Sequence, residues 1–385
     1  MTGYRKQRVA VFIFMIMTLL VQTLFCQIDA RKEVKIPDIL GYRVLKCDFH
    51  THTVFSDGDV WPSVRAKEIW LNGLDAFAIT DHLEYTPHKD DVNLNFNRSY
   101  EIALPLAKSR GITLIKGAEI TRDMPPGHIN AIFLQDVTPL KTEKWEDAVQ
   151  IAHDQGAFIF WNHPGWKAQQ PDGIAKWYEQ HEELYKKKRL DGIEIVNEKD
   201  YYPEAYKMGI EKNLTIMANS DVHDPIFMTY DYAKGEHRPM TLVLAKENTV
   251  EEIKKALFDG RTMVYHEKLL IGKGEYLQAV FENSISIQNP EMTLKGRERG
   301  YFRIHNSSEI SYELKLETQS EEITVPEEIV LQADRTVMFS VRAKSEEISG
   351  KKKYEISYKV KNLLAAPEEG LPVILKFKIE FEKKD

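Results

Sequence analysis

Two histidines stand two residues apart in Asp48-Phe49-His50-Thr51-His52-Thr53. In an extended stretch alternate side chains share a face, and two imidazoles on one face begin a metal site. A His-x-His pair alone carries little weight, because polar residues are ordinary at strand ends. Six further segments downstream add that weight. Ser56-Asp57-Gly58, Thr80-Asp81-His82, Ala118-Glu119, Pro126-Gly127-His128, Asn162-His163-Pro164-Gly165 and Asn219-Ser220-Asp221-Val222-His223 each adjoin an apolar run and each offer an imidazole or a carboxylate. Eleven of the twelve histidines lie between His50 and His266, and only His305 comes later. Imidazole chemistry therefore belongs to the first two thirds of the chain. His153 and His181 fall in helical stretches and read as surface residues. Asp81, beside His82, reads as a group that orients a ligand.

These residues need a scaffold that brings strand ends together. The pattern predicts strands over Arg43–Phe49, Ala76–Thr80, Thr113–Gly117, Ile129–Leu134, Ala157–Trp161, Gly192–Val196, Thr215–Ala218 and Met240–Leu244. Between them it predicts helices over Pro62–Leu71, Tyr100–Lys108, Lys144–Asp154, Ile174–Lys188, Pro203–Lys212 and Val250–Phe258. Strands alternating with helices imply a parallel sheet, and this many units imply a (β/α) barrel, whose strand C-termini share one face. His128, which precedes its strand, fits that rule least well. From about Gly274 short alternating segments separated by turn signals, from Val280–Ile287 to Val373–Glu382, read as an antiparallel β-sandwich of seven strands. Its plain role is packing or accessory, with carbohydrate or surface binding as the sharper option. The two glycines in Ile271-Gly272-Lys273-Gly274 suggest a linker, hence a barrel at 40–270 and a sandwich at 275–385 that fold separately.

Taken in order, DFHTHTVFSDG, ITDH, GAE, GH, NHPG and SDVH resemble the motifs of the PHP (polymerase and histidinol phosphatase) family, over about residues 45–265. The likeness is nearest to exported phosphodiesterase-like members with a C-terminal β-domain. The resemblance implies an α/β fold, a distorted (β/α)7 barrel (TIM-like) followed by the antiparallel β-sandwich, and up to three metals. It implies that His50, His52, Glu119 and Asp221 hold the first metal. Glu119 bridges to a second that His128 and His163 complete, and Asp57, His82 and His223 hold the third. Glu119, Asp221 and His223 are the candidates for catalytic roles. Three divalent ions offset by three carboxylates and a hydroxide leave about +2, which suits a phosphate ester better than an amide. Such ions lower the pKa of a bound water toward ~7. Six imidazoles favour zinc, manganese or iron over magnesium. Two to three such ions are the expected cofactors.

Arg238, Arg122 and Lys167 are the candidate substrate-binding cations, Arg238 first, because arginine grips phosphate through two parallel hydrogen bonds. His88 and His237 have no assigned role. Trp166 is either an apolar wall for a leaving group or packing at the barrel rim. The long loop Leu83–Arg98, with Tyr85, His88, Lys89, Asn93, Asn95 and Asn97, could hold a second ester arm, so small phosphodiesters are the expected substrates. The alternatives are a phosphomonoesterase, a nucleotide phosphatase or exonuclease, and a non-catalytic metal-dependent surface-binding protein.

The chain has 385 residues, room for two or three domains, with 43% hydrophobic and 29% charged residues. That composition excludes disorder and multi-span membrane classes. With 52 basic against 59 acidic residues and a net charge of -7, nucleic acid is not an expected partner. Arg5, Lys6 and Arg8 precede an apolar run, Val9–Val21, too short to span a bilayer. This reads as a signal peptide over residues 1–26, leaving no transmembrane span in the mature chain. The expected destination is a periplasm. A lipoprotein with Cys26 lipidated is the rival, opposed by Phe25 where a small residue is normal. After cleavage Cys47 is the one cysteine left of two, so no intramolecular disulfide is possible.

Overall fold

The computed structural model describes residues 29–92 and 94–383; the expected signal peptide lies outside the described residues. Among the described residues no helix is long and apolar enough to cross a membrane.

The first unit is built on β1 (Arg43–Asp48), β2 (Ala76–Ile79) and β3 (Thr113–Ile120), which run parallel. Helices α1 (Pro62–Leu71) and α2 (Arg98–Ser109) connect them. Pro62 opens α1, where a missing N–H costs nothing. The sheet continues through β4 (Ile129–Ile132), β5 (Phe158–Trp161), β6 (Gly192–Asn197) with its hairpin partner β7 (Asp200–Tyr201), and β8 (Thr215–Asn219). Helices α3 (Trp145–Asp154), α4 (Glu179–Lys186) and α5 (Pro203–Glu211) lie between these strands. After the short α6 (Ile226–Thr229) come β9 (Met240–Ala245), α7 (Val250–Phe258), β10 (Thr262–His266) and β11 (Leu269–Gly272). β2 and β5 are buried at every position and read as unbroken apolar runs, while β6 and β9, equally buried, carry the polar Glu194, Asn197 and Thr241 among their apolar residues.

Two expectations need correction. The sheet is mixed: β4 is antiparallel to β3 and β5, and β9 is antiparallel to β1 and β10. Only residues 121–128 join β3 to β4, too few for the crossover that a parallel pair needs. Nor does the strand ladder close. Among the described residues β8 pairs with β6 alone. Threonines bridge its other flank: Thr241 Oγ1 accepts from the Ala218 N–H and donates to its carbonyl, both at 2.9 Å, and Thr262 Oγ1 donates to Ile216 O at 2.9 Å. At the site end an isolated parallel bridge joins Thr51 to Val222.

The segment Val280–Ile287, expected as a strand, is mostly helix: α8 spans Gly274–Ser284. Its buried residues Tyr276, Leu277, Val280, Phe281 and Ser284 recur at three- and four-residue spacing, the helical period. Nine strands follow. β12 (Ile285–Gln288), β14 (Arg299–Asn306), β18 (Arg335–Ala343) and β16 (Ile323–Thr324) form one sheet. β13 (Glu291–Lys295), β20 (Glu369–Glu382), β19 (Gly350–Ala366), β15 (Tyr312–Leu316) and β17 (Glu328–Leu331) face it. Phe377 packs across the gap on Phe302 at 4.5 Å and Phe339 at 5.8 Å between ring centres.

The glycine pair is not a loose linker. Gly272 ends β11, which pairs in parallel with β19, Leu270 opposite Leu363. Asn362 Nδ2 donates to Lys268 O at 2.7 Å, and the Tyr206 hydroxyl to Leu364 O at 3.2 Å. One buried apolar cluster runs from Phe77, Leu242 and Met263 through Leu277 and Phe281 to Phe302, Tyr312 and Leu363. The two units share a core.

Candidate metal centre

Four ligand-type atoms converge at the ends of β1, β3 and β8. Asp221 Oδ1 lies 3.0 Å from His50 Nε2 and 2.9 Å from His52 Nε2, and Glu119 Oε2 lies 3.3 Å from each of those nitrogens. Four donors placed ~2.0–2.1 Å from a zinc-sized ion stand about 3.3 Å apart, so this spacing suits a bound divalent cation. The other oxygen of Glu119 faces a second group: Oε1 is 2.8 Å from His128 Nδ1 and 3.7 Å from His163 Nε2. A third group gathers on Asp57 Oδ1, 3.4 Å from His82 Nε2 and 3.3 Å from His223 Nε2. His52 Nδ1 stands 3.8 Å from the same oxygen. Asp57 Oδ1 is buried and makes no hydrogen bond, as does His163 Nδ1. Buried orphan polar atoms are costly unless something completes them. Seven of the nine residues expected from the sequence fall in three overlapping groups with metal-ligand spacing, His52 with Asp57, His82 and His223, His50 with His52 and Glu119, and His82 with Glu119 and His128; Asp221 and His163 adjoin them through His50, His52 and Glu119.

The antiparallel turn at β4 explains His128. Because β4 runs against β3, its first end meets the last end of β3, opposite Glu119 and Ile120. Two candidate ligands sit on strained backbone, with φ of 26° at His163 and 49° at Asp221. Such conformations persist only where surroundings over-determine them. Gly58 lets the Asp57 turn close onto the segment that follows β1: a Cβ there would stand 2.8 Å from His52 C and Thr53 N.

A buried shell holds these groups in place. Glu194, fully buried on β6, accepts from His50 Nδ1 at 3.0 Å, the His163 N–H at 2.8 Å, and Asn197 and Asn219 Nδ2 at 2.9 Å each. Sequence reasoning missed it; the signal was an acid inside the otherwise apolar Gly192–Val196 run. Asp48 accepts from the His50 N–H at 3.3 Å, the Ser220 N–H at 3.1 Å and its hydroxyl at 2.5 Å. Asp81 is such a partner too: it accepts from Thr53 N at 2.7 Å and Ser56 Oγ at 3.1 Å, fixing the turn that carries Asp57. Thr121 Oγ1 meets His82 Nδ1 at 2.6 Å.

Burial opposes ionising Glu119, yet His82, His50 and His128 hold its carboxyl well below the usual range. Burial also opposes ionising Asp221, and His50, His52 and His223 outweigh it. The rings divide. Burial works against protonating His82 and His223, but Glu119 and Asp57 push His82 up to about 10, and Asp57 and Asp221 push His223 up to about 9. His52, buried beside His223 and His82, is pushed down to about 3. The carboxylates thus draw positive charge into the cluster, and divalent cations would take the place of those protons.

The expected substrate cations are placed unequally. Arg238 is fully buried with Nη1 2.9 Å from Asp48 Oδ2, beneath the cluster, which corrects the expectation that it grips phosphate. Arg122 Nη1 pairs with Glu84 at 2.6 Å and its guanidinium donates to the Thr121 and Thr142 carbonyls, which leaves little for a substrate. Lys167 is exposed, next to Trp166. Trp166 is 42% exposed, its ring 5.2 Å from His163 and 5.6 Å from His128, so it borders the site. Asn97 is spent on Asp136, Thr138 and the Val137 N–H. His181 is no surface residue: it is fully buried, stacked 3.8 Å from Trp161, with Nε2 2.7 Å from Pro126 O. His237 stacks on Tyr265 and meets the Arg238 and Glu267 carbonyls.

A sequence model of the Ig-like domain family DUF5001 matches residues 285–376. A protein from Methanocaldococcus jannaschii, without assigned function, is 41% identical over 46 residues, which is 12% of this chain and 21% of that one. The chain thus spans about a fifth of that relative. A crystal structure from Bifidobacterium adolescentis, described as a candidate metal-dependent phosphoesterase, aligns at 16% identity over 46% of this chain and 87% of that one, TM-score 0.37. A crystal structure from Bacteroides vulgatus, described as a two-domain protein containing a predicted PHP-like metal-dependent phosphoesterase, aligns over 90% of this chain and 99% of that one. Its identity is 42% and its TM-score 0.85. With a likeness of that extent over both units, and with the histidine and carboxylate cluster at the strand ends, the chain belongs to the PHP-like metal-dependent phosphoesterases.

Proposed function

We propose that the chain is an exported hydrolase of small phosphate esters, phosphodiesters foremost, working with two to three zinc, manganese or iron ions on a distorted seven-unit barrel. The observation that carries this is Glu119: one oxygen faces His50 and His52, the other His128, so one carboxylate serves two adjoining cation positions. When bound, such ions polarise phosphate oxygens and acidify a water. The protein's own residues do the rest. His50, His52, Glu119 and Asp221 hold one position, His128 and His163 complete the next, and Asp57, His82 and His223 hold the third. Glu194 keeps His50 Nδ1 engaged, so that Nε2 points into the cluster. The acidic balance speaks against a nucleic-acid strand as substrate.

The test is metal content by elemental analysis together with hydrolysis of bis-(p-nitrophenyl) phosphate and p-nitrophenyl phosphate. Two to three metals per chain and comparable or better turnover of the diester are expected. Fewer than one metal after loading would sink the metal reading. A tenfold preference for the monoester, about 1.4 kcal/mol in barrier, would sink the diester reading.

A further inference from the structure

We propose that Tyr85 and Trp166 form the two sides of a clamp for a planar aromatic group carried by the phosphate ester. The inference rests on the phosphoester reading above and names the substrate's other end. Tyr85 lies edge-on to His82 at 6.2 Å, His82 meets His128 at 5.7 Å, and His128 meets Trp166 at 5.6 Å. Each ring is thus linked to the next, from Tyr85 through His82 and His128 to Trp166. The inner two, His82 and His128, are buried, whereas the outer two project into solvent, Tyr85 at 55% and Trp166 at 42% exposure. One exposed aromatic is ordinary on any surface. Two that both contact buried candidate ligands stand where an ester's substituent would meet them on its way out of the site.

The backbone of each ring is held independently of any substrate. Glu84, next to Tyr85, accepts from the Thr121 N–H at 2.8 Å and pairs with Arg122 at 2.6 Å. The Trp166 N–H donates to His163 O at 2.9 Å, and its carbonyl accepts from Gln170 at 2.7 Å. Rings on anchored backbone lose little freedom on binding, which favours affinity. An alkyl group would gain only buried area there, but a flat ring would also stack, a further gain with a preferred geometry. Arg122, expected to touch phosphate, acts in this arrangement as a brace for the Tyr85 side.

Phenylphosphonate and methylphosphonate share the phosphonate and differ only in the group the clamp would hold; neither carries a cleavable ester. Isothermal titration of the metal-loaded protein should show phenylphosphonate binding at least tenfold tighter. Tyr85→Leu and Trp166→Leu should each cut the ratio of the two dissociation constants about threefold to tenfold, and the double variant should bring it near one. With phenyl phosphate as substrate the loss should appear in KM rather than kcat. Tyr301→Leu, on the Ig-like domain, is the control and should leave the ratio alone. Equal affinity for the two phosphonates in the wild type would overturn the clamp, as would variants that weaken both alike. Binding of neither would overturn the phosphoester reading and the clamp with it.

Discussion

Glu194→Gln tests the buried shell with the least change in shape. The wild-type carboxylate accepts four hydrogen bonds and fills no donor role: His50 Nδ1 and Asn219 meet Oε1, His163 N–H and Asn197 meet Oε2. A carboxamide must turn an NH2 toward one of these pairs, whichever way it flips. Two donors then face a donor in a fully buried place, and an unsatisfied buried donor costs about 1–3 kcal/mol. The negative charge that favours the His50 Nδ1–H tautomer is lost as well. Loss of a hydrogen-bond partner behind a metal-binding histidine typically weakens metal affinity 10–100-fold, about 1.4–2.7 kcal/mol. Competition against a fluorescent zinc chelator should show a drop of that size for the tightest site, with thermal unfolding of the chelated protein as the control for folding. An affinity within twofold of wild type, in a variant that folds normally, would refute the idea that Glu194 sets the His50 ring.

Removing one partner of the buried Arg238–Asp48 pair leaves an uncompensated charge, so Arg238→Met should cost about 3–5 kcal/mol in urea unfolding; a loss below 1 kcal/mol would make the pair incidental. Glu119→Gln should lower metal content by more than one ion per chain, read by elemental analysis, because both of its oxygens are engaged. His181 is buried neutral, and burial pushes it down to about 4. The unfolded chain takes up its proton first, near pH 6.5, so this residue's share of stability is intact above that pH. It falls as the pH drops toward about 4, by roughly 3 kcal/mol in all. The difference in unfolding free energy between wild type and His181→Gln, followed from pH 7 to 4, should shrink accordingly; a flat difference would contradict the assignment.

The site was legible because its signal is chemical. His50, His52, Asp57, His82, Glu119, His128, His163, Asp221 and His223 adjoin apolar runs, and it is the resemblance of those motifs, in order, to the PHP family that singles out the set. What escaped is directional. Glu194 looked like any acid on a strand, because a side chain's facing depends on the strand's pairing. Arg238 read as a phosphate-binding cation because nothing in its neighbours announced Asp48, 190 residues away, as its partner. His181 looked solvent-facing because the helix around it is rich in charge, although the ring itself turns inward to Trp161. The mixed sheet was hidden in the length of one connection, and the shared core in Ile271-Gly272-Lys273-Gly274, where a glycine pair reads as a linker until the strand partner of β11 is known.

The pairing of β11 with β19 has a consequence for solubility. A strand with one bare side is a template for other chains, and proteins take care to cover such edges. Here the covering is mutual: β19 occupies the open side of β11, and Leu270 and Ile271 meet Leu363 and Leu364 across the seam. A chain cut after Gly272 would present that row of unpaired amides and leucines to its neighbours at every collision. The Ig-like domain thus covers an edge strand of the first unit, and a chain cut after Gly272 is expected to self-associate unless β11 is given another strand.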